Sequence, residues 1–130
     1  MLKSNEIEIL VRGQVAAGWP SPAEEELSDT MSLDEYLIKN KEATYMIKVK
    51  GDSMAEAGIM PGDIVLVERG AEFGDGSIVV AQIDEQWVMR YFRKRGGKIF
   101  LEAANKKYKP IFPAQTLKID AVVKGVVRKY

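Results

Sequence analysis

The sequence predicts a mostly β protein: a compact domain of curved antiparallel sheets with one or two short N-terminal helices. Two observations carry this. From residue 44 onward, short runs rich in Val, Ile, Tyr and Phe recur between turns containing Gly and Asp. Many short strands with frequent glycine turns make a small, strongly curved β domain rather than a layered α/β one. In addition, 130 residues with 46% hydrophobic and 29% charged side chains describe one ordinary soluble globular domain.

The elements follow in order. Residues 7–16 are rich in strand formers and end at Ala17-Gly18. Trp19-Pro20-Ser21-Pro22 cannot continue a central strand, because proline lacks the donor a ladder needs. Residues 23–29 are acidic and follow a proline, which suits a short helix or a mobile arm. Ser32 with Glu35 three residues on is a capping-box signature, opening a helix through Ile38 that would bury Leu33, Tyr36 and Leu37 on one side. The division expected is an N-terminal arm over 1–31 and a β-rich domain over 32–130.

Thr44 to Val49 alternates, with Tyr45, Ile47 and Val49 on one face. The turn Pro61-Gly62-Asp63 introduces a strand over 64–67, and Gly74-Asp75-Gly76 another over 77–83. Asp84-Glu85 reads as a tight hairpin into 86–93, and Arg95-Gly96-Gly97-Lys98 as a second hairpin into 99–102. Residues 117–129 give a closing strand.

Composition excludes much chemistry. The chain has no cysteine and no histidine, which removes disulfides and nearly every zinc or haem site, so no cofactor and no metal are expected. The start lacks a signal-peptide pattern and no 18-residue apolar run exists, so a cytoplasmic protein without membrane contact is expected.

Charge is zero overall but lopsided. Residues 1–89 carry 7 basic and 17 acidic side chains, a balance of −10; residues 90–130 carry 12 and 2, a balance of +10. The plainer reading is pairing across one folded body. The sharper one is steering toward an acidic partner by Arg93, Lys94, Arg95, Lys98, Lys106, Lys107 and Lys109. Direct DNA binding is not expected, because the pI is near 6.3.

The candidate nucleophile is Ser53, in Gly51-Asp52-Ser53-Met54 directly after a strand. A serine needs a neighbouring base. Without histidine a Ser-His-Asp triad cannot form, and the remaining arrangement is a desolvated lysine in a Ser-Lys dyad. Glycine at the strand end permits a sharp turn that exposes the hydroxyl and aims backbone N–H groups at an oxyanion, with Asp52 and Met54 as the flanking turn residues. Taken alone, the tetrapeptide is as well read as an ordinary turn.

The wider pattern weighs against that. Residues 43–54, then Gly58-Ile59-Met60-Pro61-Gly62-Asp63-Ile64-Val65-Leu66-Val67, then 77–84 closely resemble the self-cleaving LexA/UmuD (peptidase S24) family of Ser-Lys peptidases. Val15-Ala16-Ala17-Gly18-Trp19-Pro20 resembles that family's Ala-Gly cleavage segment, where the residues alone suggest only a strand end. Gly18 to Ala23, followed by 33–38, looks like the UmuD branch, as does the lack of a helix-turn-helix before the cleavage segment. The resemblance covers residues 11–127. It implies a fold like the family's C-terminal domain and self-cleavage between Ala17 and Gly18, with Ser53 attacking the Ala17 carbonyl.

The family's general-base lysine falls on the strand after the 84–85 hairpin, where this chain reads Trp87-Val88-Met89-Arg90-Tyr91-Phe92. Arg90 occupies the position. A buried lysine sheds its charge through desolvation and then accepts the serine proton; a guanidinium stays protonated and only donates. A one-residue slip brings Met89 or Tyr91, neither a base. Lys94 sits about 13 Å along the strand, and Lys48 and Lys50 lie too near Ser53 in the chain to oppose it. The expected outcome is a protease site unable to fire.

The resemblance implies an SOS-response protein that forms a homodimer, responds to a RecA filament on single-stranded DNA, and serves a Y-family DNA polymerase subunit in translesion synthesis. Competing readings are a non-enzymatic polymerase- or RecA-binding module and the C-terminal domain of a LexA-like repressor. A type I signal peptidase shares Ser-Lys chemistry but calls for a membrane anchor.

Overall fold

The computed structural model describes residues 7–9, as backbone, and residues 32–130. The rest of the strand expected over 7–16, the Ala17-Gly18 bond and the acidic stretch 23–29 lie outside the described residues.

The strands are β1 (Ile7–Ile9), β2 (Thr44–Val49), β3 (Ile64–Arg69), β4 (Ile78–Ile83), β5 (Gln86–Arg95), β6 (Lys98–Glu102) and β7 (Leu117–Val127). They form one antiparallel seven-stranded sheet in the order β1-β2-β3-β7-β4-β5-β6. A mostly β fold is thus observed, as one open sheet rather than several.

Both sequence-predicted hairpins form. Asp84 and Glu85 adopt φ of 44° and 71°, the double left-handed turn whose twist matches that of the flanking strands. Gly96 and Gly97 do the same at 57° and 78°. Curvature comes from β7. Its partners skip Lys124 between Leu66 and Val67, and skip Asp120 between Val80 and Ala81. Each skipped residue is a β-bulge, which bends the strand and sharpens the local twist.

The sheet is buried on both faces through its middle. Ile47, Val49, Val65, Val67, Val80 and Met89 pack on one side with Met54, Ile59 and Ala104 from the loops. Val79, Ala81, Ile83, Val88, Phe92, Leu101 and Val122 pack on the other. Two-sided burial explains why 78–81 and 64–67 read as unbroken apolar runs. Each fully buried Val or Leu contributes about 1.5–3 kcal/mol.

Helix α1 (Leu33–Leu37) begins at Ser32 with the expected capping box: the Ser32 hydroxyl accepts from the Glu35 amide at 3.1 Å, and Glu35 accepts from the Ser32 amide at 3.3 Å. Its expected buried face needs correction. Leu33 and Tyr36 are 54% and 70% exposed, and no residue of the helix is buried. Five residues give too little surface to lay a whole face on the sheet. Only Leu37 finds a seat, with its Cδ2 lying 3.4 Å from where a Cβ on Gly125 would stand.

Candidate functional site

Strand β2 ends at Val49, and the chain turns through Gly51 and Asp52 to place Ser53 at 5% exposure. Behind it a single 3-10 turn (Ala55–Ala57) closes at Gly58, whose φ of 85° a side chain would strain. The turn is anchored inward by Met54, 2% exposed, whose sulfur accepts from the Ala104 amide at 3.4 Å.

Arg90 reaches the serine from β5, where it pairs in register with Val79. It is 3% exposed. Its Nη1 donates to Ser53 Oγ at 2.9 Å and to the Met89 carbonyl at 2.9 Å. Two residues 37 positions apart are thereby brought into direct contact. The guanidinium also lies 5.4 Å from the centre of the Tyr108 ring, within cation–π range.

Lys48 is exposed on β2 and Lys94 lies four positions beyond Arg90 on β5, so neither takes Arg90's place beside the serine. Met89 is buried in the core and Tyr91 packs against it. A guanidinium offers five N–H donors and no acceptor. The positive charge suits a developing oxyanion, but Arg90 has nothing with which to take the hydroxyl proton.

Asp52 faces the loop between β6 and β7. Its carboxylate accepts from the Tyr108 hydroxyl at 2.6 Å and pairs with Lys107 Nζ at 2.7 Å, and its carbonyl accepts from Asn105 Nδ2 at 2.8 Å. Hydrogen bonds from Lys107, then from Tyr108, hold the Asp52 carboxyl below the usual carboxylate range, and Asp52 in turn raises Lys107. Glu56 reinforces the contact: its amide donates to the Ala104 carbonyl at 2.8 Å, and its carboxylate accepts from the Lys106 amide at 3.2 Å.

A second clamp closes the far side of the serine loop. Arg128 Nε and Nη2 donate to the two Asp63 oxygens at 2.7 Å each, and Nη2 also reaches the Gly58 carbonyl at 2.9 Å. The Arg128 hydrogen bonds hold the Asp63 carboxyl below its ordinary range, helped by the Met60 amide at 2.8 Å, and Arg128 is raised correspondingly.

Asn105, Tyr108, Asp63 and Arg128 were not legible as site residues, because their partners lie 50 or more positions away. In the basic cluster, Arg93 pairs with Glu102 at 2.7 Å, Arg95 with Asp75 at 3.7 Å and Lys107 with Asp52. Those three charges support pairing across the fold rather than a bare basic face. Among the described residues no group of three or more acidic, His or Cys side chains is arranged to hold a metal, and no helix is long and apolar enough to cross a membrane.

The curved antiparallel sheet sets a buried serine, from the loop after β2, against a buried cation on β5, the pairing expected of a Ser-Lys peptidase domain with arginine at the lysine's place. Residues 9–127 match the Peptidase S24-like family, and the chain belongs to that family of self-cleaving serine peptidases. It is 40% identical over 123 residues to a LexA repressor of Acetivibrio thermocellus, covering 95% of this chain and 57% of that protein. It is 37% identical over 127 residues to a LexA repressor of Anaeromyxobacter sp., covering 95% and 55%. A LexA repressor of Shewanella piezotolerans is 34% identical over 126 residues, covering 95% and 61%. The chain therefore spans less than two-thirds of the length of these relatives.

Proposed function

We propose that this chain is the self-processing domain of a LexA-like SOS regulator, held uncleaved by Arg90. One observation carries the reading: the residue that contacts Ser53 Oγ at 2.9 Å is a guanidinium donor. In a Ser-Lys dyad that place belongs to a neutral amine, which accepts the hydroxyl proton as the serine attacks. Here the serine is geometrically partnered and chemically idle. The substrate bond in this reading is Ala17-Gly18, within an arm over 1–31, and the β-rich domain over 32–130 supplies the site and the homodimer contact. The stimulus is a RecA filament on single-stranded DNA.

The names of the relatives favour a repressor domain over the UmuD-like reading. The UmuD-like alternative, an accessory subunit of a Y-family polymerase, draws support from Gly18-Trp19-Pro20-Ser21-Pro22-Ala23. Binding of the purified chain to such a polymerase subunit, scored by co-elution, separates the two.

The self-cleavage reading is tested by incubating the chain and its Arg90→Lys variant at pH 7 and pH 10, with and without activated RecA filaments. Only Arg90→Lys yields fragments of 17 and 113 residues. Those fragments from the unmutated chain would overturn the locked-site reading. A folded, filament-stimulated Arg90→Lys variant that stays intact would instead favour a binding module.

A further inference from the structure

We propose that Tyr108 is a positioning residue for the Ser53 site: its hydroxyl, by holding the Asp52 carboxylate, fixes the turn that presents Ser53, while its ring walls the side chain at position 90. This rests on the reading that Ser53 and residue 90 stand as nucleophile and base position.

Ser53 sits between two anchored neighbours. Met54 is tied into the core through its sulfur, and its carbonyl accepts from the Ala57 and Ile59 amides at 3.0 and 3.2 Å. Asp52 is tied to the 103–109 loop through its carbonyl and its carboxylate. The two carboxylate partners are unequal. Lys107 is 65% exposed, so solvent and salt screen its pull. The Tyr108 hydroxyl makes a short charge-assisted bond at 2.6 Å, which is directional and fixes geometry.

The ring of the same tyrosine meets the Arg90 guanidinium at 5.4 Å. One side chain thus reaches Asp52, the residue before the serine, through its hydroxyl, and the side chain at position 90 through its face. A purely structural clamp would lower stability and leave the rate per folded molecule unchanged. A positioning residue changes that rate, because small misplacements of reacting groups are costly.

The test uses the full chain carrying Arg90→Lys, at a temperature where every variant is fully folded. Adding Tyr108→Phe keeps the ring, removes the hydroxyl and slows spontaneous cleavage roughly ten- to a hundredfold. Asp52→Ala, which also gives up the screened Lys107 pair, slows it as much, and the combination of the two is no slower than Asp52→Ala alone, since the phenol–carboxylate bond is already lost there. Asp52→Asn, whose side-chain carbonyl still accepts from the phenol, retains most of the rate. Tyr108→Phe cleaving at the parental rate, or the two losses multiplying in the combination, overturns the proposal.

If Arg90→Lys does not cleave at all, the self-cleavage reading fails separately, and the unmutated chain then decides. Its Arg90 guanidinium NMR signals are expected to be sharp, because Ser53 and Met89 hold the group. Tyr108→Phe and Asp52→Ala broaden them and Asp52→Asn does not. Unchanged signals in Tyr108→Phe overturn the proposal.

Discussion

Arg128 and Asp63 form a two-pronged ion pair, 2.7 Å on each prong, between the residue following β7 and a carboxylate 2% exposed beside the serine loop. Paired, hydrogen-bonded burial is the condition under which a carboxylate tolerates the interior. Cutting the pair strands the acid, so Arg128→Ala lowers the melting temperature by several degrees at pH 7. A melt indistinguishable from that of the parent would show the pair to be idle.

The same pair sets a pH dependence. Because Arg128 depresses the Asp63 carboxyl in the folded state, its contribution is complete above the unfolded value near 3.9 and is lost as pH falls through the depressed folded value. The melting-temperature gap between the parent and Asp63→Asn therefore stays constant from pH 7 to about pH 5 and shrinks below about pH 4. A gap that persists unchanged at pH 3 contradicts this.

Leu101 is fully buried in the second core cluster. Leu101→Ala leaves a void the close-packed sheet cannot fill and costs about 2–5 kcal/mol. Chemical denaturation gives the value, with the denaturant slope unchanged if only stability has moved.

Asp84 does two jobs that the hairpin alone does not reveal. It takes the positive φ of the turn, and its carboxylate collects the Ala114, Gln115 and Thr116 amides at 3.0, 2.9 and 3.0 Å. Those three bonds hold the carboxyl below its usual range. Asp84→Asn tolerates the turn but accepts fewer bonds. Hydrogen exchange at the three amides accelerates roughly tenfold, while exchange in β4 and β5 is unaffected.

The proposed cut at Ala17-Gly18 calls for small residues, which bring no side-chain clash to a scissile bond. Replacing Gly18 with Leu in the Arg90→Lys variant blocks formation of the 17- and 113-residue fragments, as read by mass spectrometry. Normal cutting in that double variant reassigns the bond.

What the sequence disclosed and what it hid divide along one physical line. Strands over 44–49 and 78–102 announce themselves because period-two apolarity and left-handed turns are local properties. The capping box at Ser32 was equally readable, whereas the burial of its helix was not, since a seat for Leu37 depends on Gly125 far along the chain. Position 90 was located only through resemblance. Tyr108 carried no signal because nothing near it in sequence needs a phenol; its partner Asp52 lies 56 positions earlier.

The place of β7 has a consequence for how the protein is made. Residues 117–127 form the strand between β3 and β4, so at synthesis the two halves of the sheet emerge from the ribosome with unpaired edges facing each other. Neither half can close on its neighbour until the keystone strand arrives. At roughly 5–20 residues per second, that leaves several seconds in which the Val- and Ile-rich edges of β3 and β4 lack their partner strand. A nascent chain stalled before residue 117 is therefore expected to be a proteolysis substrate rather than a partly working domain.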